Sequence, residues 1–212
     1  MSNDKIHSYY TKLAEKITAP QDTRNKAPDF SEYDIAFMQQ FAGAEMSLLD
    51  LGAGSGLLLN AIAQQFGDIV AVELYEEFSK FIAPRPNLHV INSDIRSFDT
   101  VQSFDVVIAF GVLNFFSVEE ASAIYAKCFR FANPGGTLVI KHQMGREEDV
   151  VVDGFSEELQ QHYFSNYRHT DHECRLIEAA GFTVVAVHDI YPDAFNRWEN
   201  TRFNAIVAHK PG

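Results

Sequence analysis

Two cysteines are all this chain has, Cys128 and Cys174, both within helical patterns. They leave room for one disulfide, and their setting favours free, buried thiols in a reducing cytoplasm. Basic residues are scarce, 17 against 29 acids, for a formal net charge of −12. A chain of that sign repels nucleic acid and anionic membrane unless it gathers a local basic patch. Its densest basic stretch, Lys80 to Arg85, is too thin to be one. No apolar run is long enough to cross a bilayer. Met1-Ser2-Asn3-Asp4-Lys5 lacks the apolar core of a signal peptide. There is no internal repeat and no low-complexity tract. What is plentiful is phenylalanine, 18 residues, beside 8 tyrosines. Most belong in a core, and the excess points to an aromatic-lined pocket. A cytoplasmic protein is expected, with a small molecule as its partner and neither nucleic acid nor membrane. Nothing in the sequence sets an oligomeric state.

The 212 residues fit one decorated α/β domain, or one domain with an appended segment. Asn3 or Asp4 caps a first helix running to about Thr18, with Ile6, Tyr9, Tyr10, Leu13 and Ile17 on one face. Pro20 ends it, and Gln21 to Asp29 reads as a polar linker or mobile loop. Ser31 starts a second helix whose apolar side is Ile35, Phe37, Met38 and Phe41 and whose stop is Gly43. Residues 1–44 are therefore expected to form a helical lid or cap.

From residue 45 strands and helices alternate. Strands are expected at Ser47–Asp50, Ile69–Glu73, Leu88–Ile91, Val106–Phe110 and Thr137–Lys141, with helices near Ser55–Phe66, Glu76–Phe81 and Ser117–Phe131. Ser117 and Glu120 form a capping box, and Asn133-Pro134-Gly135-Gly136 a turn. Residues 143–169 read as an irregular insertion, rich in acids and aromatics, on the substrate side. Thr170 and Glu173 form a second capping box, opening a helix that ends at Gly181. Phe182–Ile190 and Thr201–His209 are two more strands, joined by a short, helix-free turn and so antiparallel. The expected fold is α/β: a seven-stranded, mostly parallel, doubly wound sheet with an antiparallel C-terminal hairpin and helices on both faces.

The chain is organised around Leu48-Leu49-Asp50-Leu51-Gly52-Ala53-Gly54-Ser55-Gly56. A short apolar run ends in an acid, glycines follow at every second position, and a segment of helical composition begins at Leu57. Glycine permits positive φ and lets a ligand approach backbone that a Cβ would block. The following helix start offers unpaired N–H groups to an anion. A dinucleotide fingerprint would need its third glycine at position 57, which is Leu57. No Gly-Lys-Ser/Thr follows, which removes a P-loop.

Four further motifs follow in order: Val70-Ala71-Val72-Glu73, Asn92-Ser93-Asp94-Ile95, Phe104-Asp105-Val106-Val107-Ile108-Ala109-Phe110-Gly111-Val112-Leu113, and Asn133-Pro134-Gly135-Gly136-Thr137-Leu138. With these five, residues 45 to about 210 resemble the class I, Rossmann-like, S-adenosylmethionine-dependent methyltransferases of the small-molecule type. The resemblance implies that S-adenosylmethionine is the cofactor and that residues 45–212 bind it. Asp50, Gly52, Ala53, Gly54 and Gly56 would pass under its methionine part. Glu73, with Leu74 beside it, would accept from both ribose hydroxyls, and Asp94 from the adenine amino group near the Ile95 N–H. The Phe110 carbonyl would face the cofactor's ammonium next to Gly111. Asn114 would touch cofactor or substrate, and Tyr10 would close over the site from the first helix.

Methyl transfer needs the nucleophile aligned, desolvated and, for a hydroxyl, deprotonated. His142 is placed for the base, directly after the fifth strand; Asn114, Tyr167 and His169 are the other catalytic candidates, Tyr163 shares the substrate-facing stretch with Tyr167 and His169, and Tyr9 and Tyr10 on the first helix either form a lid or pack as plain helix. His162, His169 and His172 match no known zinc spacing, so no metal is expected. Enzymes of this family that methylate amino groups of nucleic acids carry Asn/Asp-Pro-Pro-aromatic after strand four, where this chain has Phe110-Gly111-Val112-Leu113. The cytosine-C5 enzymes need a Pro-Cys loop, which neither cysteine provides. Three functions stay open: methyl transfer to an oxygen or nitrogen of a small molecule, a reaction that cyclises or cleaves the aminocarboxypropyl chain of S-adenosylmethionine, and a non-catalytic cofactor-binding module.

Overall fold

The computed structural model describes residues 2–24, 30–157, 160–196 and 198–212. Its elements run α1 (Ser2–Ala14), α2 (Ser31–Gln39), β1 (Gly43–Leu51), α3 (Leu57–Ile62), β2 (Phe66–Glu73), α4 (Glu76–Ser79), β3 (Leu88–Asn92) and β4 (Phe104–Phe110). Then come α5 (Val118–Phe131), β5 (Ala132–Gly145), β6 (Val150–Ser156), β7 (Gln161–Tyr167), α6 (Thr170–Ala179), β8 (Thr183–Asp189) and β9 (Thr201–His209). The main sheet has seven strands in the order β3-β2-β1-β4-β5-β9-β8. β1 to β5 are parallel, while β9 runs antiparallel to both β5 and β8. This is the expected sheet, including its C-terminal hairpin.

The apolar runs of the central strands follow from burial on both faces. Leu49, Leu51, Val107 and Ala109 point into one core with Tyr125, Cys128 and Phe131 of α5 and Ile177 of α6. Leu48, Val106 and Ile108 point into a second core with Phe37 and Met38 of α2 and Leu59 and Ile62 of α3. Both cysteines are free thiols, Cys128 buried and Cys174 half-buried.

Several boundaries differ from those expected. β1 begins at Gly43, before the expected Ser47. The helix after the glycine loop covers only Leu57–Ile62 and tightens into a 3₁₀ turn, so β2 starts at Phe66. β5 is longer than Thr137–Lys141; its ladder with β4 breaks between Ala132 and Thr137, where the Asn133–Gly136 turn sits with Gly135 at φ 76°. Residues 143–169 are not irregular. β5 continues to Gly145, and β6 and β7 pair as a separate antiparallel hairpin. The β-branched run Val150-Val151-Val152 and the aromatics Tyr163, Phe164 and Tyr167 favour that pairing, and intervening acids and amides hid it. The turn between β8 and β9 carries a short 3₁₀ segment, Asp193–Phe195, where none was expected.

The first expected helix stops at Ala14 rather than Thr18, because Asp22 accepts from the N–H groups of Thr18 and Ala19 at 2.8 Å each and turns the chain. Residues 25–29 of the expected linker lie outside the described residues. The capping box at Ser117 is present in both halves, with Glu120 N–H donating to Ser117 Oγ at 3.2 Å and Ser117 N–H to Glu120 Oε2 at 3.0 Å. Ser117→Ala is expected to lower stability by about 1 kcal/mol, read as a shift in the urea midpoint. The second expected capping box is absent. His169, not Thr170, is the N-cap of α6, its ring accepting from Asp171 N–H, and Glu173 is fully buried.

Candidate active site

The strand order reverses between β1 and β4, which opens a crevice beyond their carboxyl ends, the usual ligand position in open α/β sheets. β1 ends at Leu51 and the chain enters the glycine loop. Gly52, Gly54 and Gly56 all have left-handed φ, at 87°, 57° and 71°. A Cβ on Gly56 would meet the Ile82 side chain at 2.5 Å, and one on Gly52 would press on Val112 at 3.1 Å. A Cβ on Gly54 would meet nothing within 4 Å, and the same holds for Gly111, φ 68°, across the crevice at the end of β4. The loop is therefore packed tightly at two glycines and open to a ligand at the third. Gly52 and Ala53 donate to Val72 O at 2.8 and 3.0 Å, which ties the loop to β2.

Glu73 ends β2 nearly buried. Its Oε2 accepts from Gly54 N–H at 2.8 Å and its Oε1 from Tyr75 N–H at 3.0 Å. Burial pushes this carboxyl up, and backbone N–H groups of Tyr75, Gly54 and Leu74 work against that. Asp50, 4% exposed, is pushed up to about 7, first by burial and then by Glu73, with Lys141 opposing. Leu74 is exposed, and Ile95 is buried against the core. Asp94 is held by Arg96, whose Nε lies 3.0 Å from each carboxylate oxygen and whose Nη2 lies 2.5 Å from Oδ2. Phe110 lies under Lys141, whose Nζ is 4.8 Å from the ring centroid, and Gly111 N–H donates to Lys141 O at 2.6 Å.

The other wall comes from α1, β7 and the 3₁₀ turn after β4. Tyr10 packs against Tyr9, Tyr75, Phe78 and Phe115 with centroids 4.9 to 6.4 Å away. Burial pushes its phenol well up, and the phenols of Tyr163 and Tyr9, the Glu73 carboxylate and the Tyr167 phenol add to this. Tyr163 and Tyr167 share a hydrogen bond between their hydroxyls, 2.8 Å. Asn114 is buried and donates from Nδ2 to Ser165 Oγ at 2.9 Å.

His142 and His169 sit differently from these. His142 is 1% exposed, and neither ring nitrogen has a hydrogen-bond partner or an opening to solvent. Its Nε2 lies 3.8 Å from Glu173 Oε2, too long for a hydrogen bond. His169 uses both ring nitrogens on the backbone, Nδ1 with Asp171 N–H at 3.2 Å and Nε2 with Arg146 O at 2.9 Å. His162 and His172 pair with Asp153 and Asp149. Among the described residues no three of His, Cys, Asp and Glu gather as a metal site would need, and no helix is long and apolar enough to cross a membrane.

Two buried ionic groups were missed. Arg168, fully buried, pairs with Glu173 and donates to Leu113 O at 2.8 Å and Phe116 O at 2.9 Å, so it fixes the turn that carries Asn114. Lys141 is 3.0 Å from both oxygens of Asp34 on α2 and 2.7 Å from Tyr191 Oη. The lysine was visible as a charge inside an apolar strand, which demands a buried partner; its partner, 107 residues earlier, was not.

Residues 48–136 match the family model for a methyltransferase domain. No curated protein matches the chain in sequence. Among solved structures it is similar to 1,6-didemethyltoxoflavin-N1-methyltransferase from Burkholderia thailandensis, bound to 1,6-didemethyltoxoflavin and S-adenosylhomocysteine, at TM-score 0.73 and 16% identity over 100% of this chain and 87% of that one. It is similar to the glycopeptide N-methyltransferase MtfA complexed with S-adenosylmethionine, at TM-score 0.67 and 17% identity over 88% of this chain and 96% of that one. The (4+2)-cyclase SpnF matches at TM-score 0.68 and 17% identity over 85% of this chain and 80% of that one. At such identities the structural likeness speaks for the fold. The chain has the fold of the class I, Rossmann-like, S-adenosylmethionine-dependent methyltransferases, and its residues 48–136 match the model of a methyltransferase domain.

Proposed function

We propose that the protein binds S-adenosylmethionine and transfers its methyl group to an oxygen or nitrogen of a small molecule, with residues 1–44 as a cap and α1 as its lid. The observation that carries this is Glu73: a nearly buried carboxylate, oriented by the Gly54 and Tyr75 N–H groups, beside a glycine loop whose open face is Gly54. A carboxylate has about four acceptor positions, so lone pairs remain for a pair of vicinal hydroxyls such as those of a ribose. When bound, S-adenosylmethionine supplies a methyl group on sulfur with a neutral thioether as leaving group. The protein's part is then to bind, orient and exclude water. Gly54 and Gly111 admit the ligand's approach to backbone, Tyr10 covers it, and Asn114, held by Ser165, faces the acceptor side together with Tyr167.

Glu73→Ala is expected to weaken S-adenosylhomocysteine binding about 100-fold, roughly 3 kcal/mol for two charge-assisted hydrogen bonds, measured by calorimetry. Affinity within about threefold of the wild type would remove Glu73 from the site. The cyclase among the structural neighbours keeps a second reaction class in view, because one fold hosts several chemistries. Product analysis separates them: S-adenosylhomocysteine marks methyl transfer, and 5′-methylthioadenosine marks attack on the aminocarboxypropyl chain.

A further inference from the structure

We infer that Ser55, the residue between Gly54 and Gly56, is the latch of a strap laid over the crevice, and that its opening gates the passage of the cofactor. The inference rests on the methyltransferase reading above and adds how that site is reached.

The carboxylates beside the glycine loop lie under cover: Glu73 is 7% exposed and Asp50 4%. A ligand reaches such groups only after what lies over them has moved. The cover is α1. Its Tyr9 meets Tyr163 of β7 edge-on, 6.4 Å between centroids. One residue on, Tyr10 touches Phe115 after β4 at 5.3 Å and Tyr75 after β2 at 6.4 Å. β2 and β4 flank β1 in the sheet, so Tyr10 bridges the crevice above the end of β1. Ala14 and Ile17 then pack on Phe78 of α4.

Beyond Ile17 the chain returns to the glycine loop. Asp22 accepts from the N–H groups of Thr18 and Ala19 at 2.8 Å each and from Thr18 Oγ1 at 3.0 Å, and this bend brings Pro20 to Ser55. Ser55 Oγ donates to Pro20 O at 2.7 Å, and Thr23 Oγ1 donates to the same carbonyl at 2.9 Å. A hydroxyl has one proton to give. Ser55 spends its proton on the strap and has none left to donate to a ligand. Ser55 is buried, so this bond is shielded from competing water. Bonds of this kind are strong enough to bias an opening equilibrium and weak enough to break repeatedly. They join protein to protein, so losing one favours the open form with or without a ligand bound. A latch therefore slows entry and exit by the same factor and leaves affinity alone. A ligand contact instead acts on exit and sets affinity.

The test measures association and dissociation rates of S-adenosylhomocysteine on the immobilised full chain by surface plasmon resonance. Ser55→Ala is expected to raise both rates about fivefold and to keep Kd within about twofold of the wild type. Asp22 is exposed and acts on the strap through its bonds to Thr18 and Ala19. Asp22→Ala is expected to raise both rates by about twofold or more, again at constant Kd, and it carries the test alone if Ser55→Ala does not fold. Unchanged rates in either folded variant, or an affinity weakened through dissociation alone, would overturn the latch. Failure of S-adenosylhomocysteine to bind the wild type strikes the cofactor reading instead. Hydrogen exchange on the ligand-free chain then decides the latch by itself. Amides of residues 9–14 exchanging about fivefold faster in Ser55→Ala support it, and equal exchange overturns it.

Discussion

Glu173→Leu is expected to cost about 3–5 kcal/mol of stability, a large part of what an ordinary domain has. Glu173 is fully buried, and its carboxylate takes the Tyr125 hydroxyl and the Arg168 guanidinium. Burial pushes this carboxyl up, but the neighbouring His142 and the Arg168 guanidinium more than offset it and hold it well below the usual range. Removing it strands a fully buried guanidinium without its counter-charge. A carboxyl with a depressed folded-state pKa stabilises above its unfolded value, near pH 4, and that stability drains away as the pH falls further. The wild type is therefore expected to lose stability steeply below pH 4, and the variant to be weak already at pH 7. Urea titrations at the two pH values read both. Arg168→Met combined with Glu173→Leu removes the stranded charge and is expected to recover most of the loss. It would not restore the bonds from Arg168 to Leu113 O and Phe116 O, so the turn holding Asn114 should exchange its amides faster than in the wild type. A double variant as unstable as the single one would show that shape, not charge, holds this region.

The parallel sheet was legible because its signal is local and repeated. Strands such as Val106–Ala109 are apolar on both faces, and helical segments separate most of them, β3 and β4 excepted. The glycine loop was legible for a different reason: left-handed φ at three alternate positions leaves almost no other residue for them. What escaped was anything set by pairing across long sequence separation. The β6–β7 hairpin has a polar-aromatic alternation that matches an irregular loop as well as a strand, and only the register Val150 to Tyr167 resolves it. Thr170-x-x-Glu173 is a correct capping pattern at a real helix start. Yet Glu173 is taken by Arg168, because a buried guanidinium outbids an exposed N–H. His142 looked like a base from its place after an apolar strand, and its side chain lies on the closed face with Glu173. The tyrosines of α1 and β7 were visible singly, but their meeting was not, since nothing local joins Tyr9 to Tyr163.

Asp50→Asn is expected to stabilise the unliganded protein at pH 8 by about 2–4 kcal/mol and to leave it unchanged at pH 4. Asp50 is 4% exposed beside Glu73, and its carboxyl stands at about 7 in the folded chain, above the 3.8 of a free aspartate. The folded state then holds a proton that the unfolded state has given up, so between pH 4 and 7 stability falls as pH rises. Three pH units at about 1.4 kcal/mol each bound the effect near 4 kcal/mol. Asparagine keeps the shape and cannot ionise, so the variant's melting temperature should show a flatter slope over that window and lie about 4–10 °C above the wild type at pH 8. The same burial that makes ionised Asp50 costly makes it useful to a cationic ligand. A positive charge bound beside the loop favours the ionised form and drives the proton out. Binding of S-adenosylmethionine near pH 6 is therefore expected to release most of one proton in the wild type and close to none in Asp50→Asn, read from calorimetry in buffers of different ionisation enthalpy. Equal proton release in both proteins would assign the proton to another group, with Glu73, itself raised by burial, the next to test.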